Sequence, residues 1–377
     1  MIKKTKIVIV PNSELAEFED ELRIVKSDKF FYENFSKYNF EVLICAIINK
    51  KKKTFGWNIN SDNNISYVKQ NLKINTSAKK IINYFYTIFV ALNVIRKNSF
   101  FYLFIPGNVS LIYGIFLMIF RKKYGLYIRG DYMKTNFNFL YNLIISKSQF
   151  SIVTGNYLKQ HVKPINPNTN LVVPMIITTD KDLYNNRSFP FNKTVNFLFV
   201  GRPTKDKGIY ELINACSLLK LDGINFELKI VGDADKKAND HLNTIIKDNN
   251  LENEILFLGS SSNPNDLKNS FKNSDIFVFP SHHEGFPRVV YEAMTFSLPM
   301  VLTNLPSYKY TLVNNIDCEL ADVKNTHSLY KAMKTLATDP VKYNLYSKNC
   351  FEIMKNNYIY FDEKNNHTDQ VIKEFSK

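Results

Sequence analysis

Glu284 and Glu292 stand eight positions apart in HHEGFPRVVYEAM, residues 282–294, either side of a Gly285-Phe286-Pro287 turn. A proline costs nothing at the first position of a helix, where its missing N–H has no intrahelical acceptor, so Pro287 predicts a helix start. The amides of Phe286, Arg288 and Val289 then face outward from a positive dipole end, and such a terminus binds anions. Glu284, just ahead of these amides, is placed to accept hydrogen bonds from hydroxyls beside a bound phosphate. Glu292, over a turn further along, can accept two hydroxyls of a second polar group. Each acid alone has a plainer reading: Glu284 as a helix cap, Glu292 as a surface glutamate.

A second stretch changes that balance. VGRPTKDKG, residues 200–208, follows an apolar run and is not a GxxxxGK[ST] loop. It sets Arg202, Lys205 and Lys207 on one strand-to-helix turn, where side-chain cations and amides either converge on a phosphate or are simply solvated. A ligand with a diphosphate in the middle and hydroxylated rings at both ends satisfies all these placements. A nucleotide sugar is such a ligand.

These residues need elements that bring separate turns together. Apolar strand-like runs recur at 6–10, 41–47, 101–105, 125–128, 150–154 and 170–173, with helix-length segments such as 78–97 and 134–148 between them. That alternation predicts a parallel sheet covered by helices. A polar segment at 180–193 interrupts it and is expected to link two domains. The rhythm restarts with strands at 197–201, 226–232, 254–259, 275–279 and 299–303, and with helices near 208–220, 236–249, 264–272 and 287–296. Three of these strands end in Gly201, Gly232 and Gly259, where the chain leaving a sheet edge can approach a ligand closely.

Composition bounds the classes. With 377 residues the chain suits two domains, and 45% hydrophobic and 14% aromatic residues exclude a disordered one. The net charge of +14 is uneven: residues 1–190 hold 27 Lys/Arg against 12 Asp/Glu, and residues 191–377 hold 22 against 23. A basic first half favours an anionic partner such as nucleic acid, an acidic membrane surface or a phosphorylated substrate, or else serves solubility. Cys45, Cys216, Cys318 and Cys350 form no CxxC pair, which argues against a zinc site or disulfide framework and suits a reducing cytoplasm. The uncharged stretch 100–120 is long enough to span a membrane, but Pro106-Gly107-Asn108 breaks it. The expected reading is a buried strand at 101–105, then an apolar helix at 109–120 capped by Asn108. Lys50 to Lys53 reads as a solvated loop.

The segment 197–306 resembles the C-terminal domain of the family 4 glycosyltransferases, retaining enzymes of the GT-B fold. The residues that carry the likeness are FLFVGRPTKDKG, KIVGDAD (229–235), ILFLGSSS (255–262), NSDIFVFPSHHEGFPRVVYEAM (273–294) and LPMVLTNLP (298–306). The resemblance implies an α/β chain of two Rossmann-like parallel-sheet domains facing a central cleft. It implies an acceptor-binding domain over 1–185, a nucleotide-sugar-binding domain over 186–355 and a C-terminal helix, 356–377, crossing back to the first domain. Arg202 and Lys207 would hold the donor diphosphate, Glu284 the transferred sugar and Glu292 the ribose diol. The backbone of Gly285 and Phe286 would lie against the phosphates and Ser260 beside the base, with Gly201, Gly232, Arg288 and Val289 also among the donor-binding residues. No metal and no cofactor is implied, since cations and a helix terminus neutralise the leaving diphosphate. The first half departs from the family: Pro11-Asn12-Ser13 stands where a glycine-rich turn is usual, and YIRGDY (127–132) where a histidine is usual. Asp131 either takes over the sugar contact or caps the next helix.

The expected function is transfer of a sugar from a nucleoside diphosphate donor, UDP by preference, to a lipid-linked glycan acceptor in bacterial surface polysaccharide assembly. The expected place is the cytoplasmic face of the plasma membrane, held peripherally by the basic, aromatic-rich first half. The rivals are a sugar-nucleotide epimerase or hydrolase of the same fold and a non-catalytic anion-binding protein. Nucleic acid is not expected as a partner, because no nucleic-acid module is present.

Overall fold

The computed structural model describes residues 5–18, 21–24, 31–32, 34–35, 38, 40–50, 57–58, 64–71, 79–172, 176–185, 187–189, 194–233, 236–260, 263–285, 287–308, 311–364 and 367–377. The chain forms two compact units, Met1–Met175 with Phe361–Lys377, and Ile176–Tyr360.

In the first unit seven parallel strands lie in the order Thr169–Val172, Phe150–Thr154, Tyr124–Ile128, Phe100–Ile105, Thr5–Val10, Phe40–Ala46, Ile65–Lys69. Strands covered on both faces read as unbroken apolar runs, as in FFYLFI and YGLYI. Successive side chains feed opposite faces. Phe101, Leu103 and Ile105 join one buried cluster with the helices Lys79–Lys97, Asn108–Ile119, Asn138–Lys147 and Asn156–Val162. Tyr102 and Phe104 join the other, with Ile7, Ile9 and Val371. Gly125 pairs with Phe150 on the next strand, and an added Cβ there would stand 2.2 Å from the Phe150 ring, so the ring needs the missing side chain.

The uncharged stretch divides as its proline predicts, into the strand Phe100–Ile105 and the helix Asn108–Ile119. Its cap differs: Gly107 is the extended N-cap residue and Asn108 is already helical, because Gly107 accepts the first backbone bond, from Leu111 N at 2.9 Å. Among the described residues no helix is long and apolar enough to cross a membrane. A small four-stranded sheet, in the order Ile48–Lys50, Leu15–Phe18, Glu21–Ile24, Trp57–Asn58, was not anticipated, since strands of two to four residues carry no periodic signal. Lys50 therefore belongs to a strand; Lys51 to Lys53 lie outside the described residues.

The second unit has six parallel strands in the order Ile255–Gly259, Phe226–Val231, Val195–Val200, Ile276–Phe279, Met300–Thr303, Glu319–Ala321. Numbered along the chain this is 3-2-1-4-5-6, the doubly wound order whose direction reverses between the first and fourth strands. The helices Ile209–Leu221, Lys236–Asp248, Pro264–Lys272 and Arg288–Thr295 connect them. Arg187 ties the polar segment to this unit, donating to the carbonyls of Phe271, Ser274 and Phe296.

After the long helix Pro340–Lys364, the chain ends in the helix His367–Phe375, which packs within the first unit. The Phe375 ring lies 5.4 Å from Phe100 and 5.1 Å from Phe150, and His367 Nε2 is 2.7 Å from Tyr102 Oη.

Candidate active site

In an open parallel sheet, ligands bind beyond the carboxyl ends of the strands where the order reverses. In the second unit that point is flanked by the turn after Val195–Val200, which carries Gly201, Arg202 and Lys207, and the turn after Ile276–Phe279, which carries Glu284. The two turns touch. Gly208, at φ +71°, packs so tightly that a Cβ would stand 2.0 Å from the Pro280 carbonyl oxygen. The His282 amide donates to Asp206 O at 2.9 Å.

Across this joint Lys207 Nζ forms an ion pair with Glu284 Oε1, with only 21% and 15% of the two side chains exposed. The same carboxylate oxygen accepts from Ser281 Oγ at 2.9 Å. The loop is braced from behind: Thr303 Oγ1 donates to Ser281 O, and His282 Nε2 lies 3.1 Å from Glu211 Oε1. Buried Tyr308 has its phenol pushed well above its usual range, first by burial and then by the charge of Glu284. Sequence reasoning put Lys207 and Glu284 on separate parts of one ligand; in the ligand-free protein they hold each other, since each is the nearest counter-charge for the other. Arg202 is exposed: its carbonyl accepts from Thr204 N at 2.8 Å, and among the described residues its guanidinium makes no hydrogen bond or ion pair.

A third turn adjoins the first. Gly232, at φ +149°, has the Gly201 carbonyl oxygen 2.0 Å from where a Cβ would be. Gly232 N donates to Gly259 O, and Gly201 N to Val231 O, each at 2.9 Å. The close approach for which Gly232 is needed is thus backbone on backbone, which draws the ends of three strands into one row. Ser260 follows in that row, its amide donating to Asp233 Oδ1 at 2.9 Å and its hydroxyl to Asp233 Oδ2.

The helix Arg288–Thr295 begins one residue later than the sequence predicts. Pro287, at φ −72° and ψ 129°, is the extended cap residue, and its carbonyl accepts from Val290 N at 3.1 Å. The amides of Arg288 and Val289 precede the first intrahelical donor, so the helix itself uses neither. Phe286 lies outside the described residues. Glu292 is no surface glutamate: it is 7% exposed, Oε1 accepts from Ile177 N at 3.2 Å, and burial raises its pKa against the opposing pull of Arg288 and that amide.

Asp131 belongs to the first unit, following the strand Tyr124–Ile128. It precedes a 3-10 turn, Tyr132–Lys134, but its side chain makes no capping hydrogen bond, so the capping alternative fails. Oδ2 lies 3.7 Å from Lys134 Nζ, and Oδ1 is buried without a hydrogen-bond partner. Asn12, where a glycine-rich turn is usual, is tied down by Nδ2 donating to Pro106 O at 3.0 Å and Oδ1 accepting from Arg129 Nε at 2.7 Å. Among the described residues no group of three His, Cys, Asp or Glu is placed to hold a metal ion.

The structure therefore gathers Gly201, Lys207, Gly232, Ser260 and Glu284 along one edge of one sheet. Sequence reasoning passed over Ser281, Asp233, Glu211 and Asp206, whose contribution is to position those side chains and turns. The signal for Ser281 was its place directly after Pro280, where the strand ends.

The family profile for glycosyl transferases group 1 matches residues 180–352, within the second unit. The chain is 35% identical over 124 residues to the capsular polysaccharide biosynthesis glycosyltransferase CapM of Staphylococcus aureus, covering 31% of this chain and 30% of that protein. It is also 35% identical over 121 residues to the UDP-Gal:alpha-D-GlcNAc-diphosphoundecaprenol alpha-1,3-galactosyltransferase of Escherichia coli, covering 32% of this chain and 30% of the relative. The chain thus spans less than a third of the length of either relative. The structure of sucrose-phosphate synthase from Thermosynechococcus elongatus matches with a TM-score of 0.74 at 14% identity, covering 99% of each chain. Beyond the group 1 region, that likeness shows the fold: the chain has the GT-B fold, built of two Rossmann-like parallel sheets.

Proposed function

We propose that the chain is a retaining glycosyltransferase that moves a sugar from a nucleoside diphosphate donor, UDP-linked, to a lipid-carried glycan in bacterial surface polysaccharide assembly. The observation that carries this reading is the half-buried Lys207–Glu284 pair at the switch point of the group 1 domain. The E. coli relative is named for UDP-Gal and a diphosphoundecaprenol-linked acceptor, which supports both substrate classes.

In this reading Lys207 and Arg202, with the amides of Arg288 and Val289, hold the diphosphate and neutralise the charge that grows on it as the glycosidic bond breaks. Glu284 accepts hydroxyls of the transferred sugar, with Ser281 Oγ fixing one of its oxygens. Glu292 accepts the ribose diol, and Ser260, held by Asp233, borders the base. The acceptor oxygen bonds to the anomeric carbon on the face the diphosphate leaves, and its proton passes to a donor phosphate oxygen. Turnover is expected to survive EDTA, because this chain's own cations and amides meet the leaving group. Asp131 is proposed as a sugar contact in the first unit: Asp131→Asn should lower turnover without changing donor-induced stabilisation. The basic first half supports peripheral attachment at the cytoplasmic face of the plasma membrane.

A thermal-shift panel of UDP-, GDP-, ADP- and CMP-sugars tests the assignment. One donor at about a hundred times its Kd should stabilise the protein by about 2.7 kcal/mol. Glu292→Ala should abolish the effect and Lys207→Ala weaken it. If no sugar nucleotide stabilises a sample whose circular dichroism is that of a folded protein, the reading fails. Release of free sugar without acceptor would move the chain to a hydrolase.

A further inference from the structure

We infer that the Lys207–Glu284 ion pair is a filter that distinguishes a sugar-bearing nucleoside diphosphate from the bare one: the pair opens for the first and holds against the second. The inference rests on the donor reading above and adds to it what the two side chains do to each other.

Each member has few other partners. Among the described residues Lys207 Nζ makes no second hydrogen bond or ion pair, and it lies 5.9 Å from the centre of the buried Phe279 ring. Asp206, next to it in the chain, accepts from Thr204 Oγ1 and makes no ion pair with it. Glu284 Oε1 takes the ammonium and the Ser281 hydroxyl together, while Oε2 has no hydrogen-bond partner among the described residues. Ser281 Oγ has one proton and three acceptors in reach: Glu284 Oε1 at 2.9 Å, His283 O at 3.2 Å and Asp206 O at 3.4 Å. The nearest is also the charged one, so the hydroxyl belongs to the carboxylate.

In a half-buried site two charges attract more strongly than in water, and drawing one away leaves the other uncompensated. A diphosphate competes for Lys207 and brings negative charge towards Glu284. When the diphosphate is bare, the carboxylate keeps only Ser281, so the pair resists opening. When a sugar is attached, its hydroxyls donate to Oε1 and Oε2, take the place of the ammonium and free Lys207 for the phosphates. A site built to accept hydroxyls rejects a ligand that lacks them, because its acceptor is then left unpaired. After transfer the hydroxyls leave with the glycan, Glu284 retakes Lys207, and the spent diphosphate is loosened.

Calorimetric titration of the full chain with UDP, and with the UDP-sugar that stabilises it, tests this. Glu284→Gln removes the charge and keeps the shape, so UDP should bind at least about tenfold more tightly than to the wild type, while affinity for the UDP-sugar does not rise. A carboxylate that only braced its loop would, once neutralised, weaken both ligands. In the Lys207→Ala background there is no cation to release, and Glu284→Gln should change UDP binding by less than about twofold. Ser281→Ala leaves the lysine as the one partner of Glu284 and should weaken UDP binding, the opposite sign. Unchanged or weaker UDP binding in Glu284→Gln would overturn the inference. So would equal tightening with and without Lys207, which would mean that the carboxylate merely repels phosphate. If neither UDP nor any UDP-sugar binds a folded sample, the donor reading falls as well; if both bind and Glu284→Gln does not tighten UDP, only this inference falls.

Discussion

At the residue scale, the acids of the E-x7-E stretch differ in kind. Glu284 faces a lysine and a serine hydroxyl, whereas Glu292 is buried with one amide and a nearby Arg288. Burial favours the protonated form of Glu292, so its pKa lies above the usual 4.5. A raised carboxyl binds more protons folded than unfolded; its contribution to stability is full below the ordinary pKa and is lost as pH rises through the raised one. Donor binding runs the other way, since the ionised form is the better acceptor for a diol. Glu292→Gln should therefore stabilise the protein at neutral pH by about 1 kcal/mol, a few degrees in Tm, while removing nucleotide-induced stabilisation. A calorimetric scan with and without donor checks both halves. Lys207→Ala has the opposite character: it strips Glu284 of its cation and the diphosphate of a donor, and kcat/KM should fall at least about a hundredfold, roughly 2.7 kcal/mol.

At the element scale, the strand ends matter more than the strands. The row Gly201, Gly232, Gly259 exists because backbone from one turn lies against backbone of the next, with Gly232 under the Gly201 carbonyl. In Gly232→Ala the Cβ runs into that rigid backbone carbonyl and takes a φ of +149° that alanine rarely adopts. The expected cost is about 3 kcal/mol, read as a lower urea midpoint, together with a weakened donor shift. Gly208 plays the matching part between the lysine turn and Pro280. Glycines at strand ends were visible in the sequence, and their closeness to a ligand was the natural expectation. That they first serve one another is a property of strand order.

At the scale of the whole molecule, the last helix closes the first unit through His367. Its ring lies 4.4 Å from Tyr127 and 4.6 Å from Phe31, and burial, with the charge of Arg129, pushes its pKa down to about 3. The unfolded chain takes up this proton near pH 6.5, so the folded state is fully stable above that value and loses stability as pH falls towards 3. The limiting slope is about 1.4 kcal/mol per pH unit. His367→Phe should flatten the dependence of the denaturation midpoint between those values; an unchanged slope would mean that another group carries it.

Local pattern along the chain is enough to read the alternation of strands and helices, because fully covered parallel strands must be apolar throughout, and to read the strand-end turns that hold Lys207, Glu284 and Ser260. It also placed Glu292 on the helix after the second of these turns. Tertiary structure alone decided that Lys207 pairs with Glu284, that Glu292 is buried rather than solvated, and that Asp131 caps nothing. Each of these depends on which strand lies beside which. Residues 77 positions apart meet because the sheet reverses its order between them, and a local pattern carries no record of that reversal.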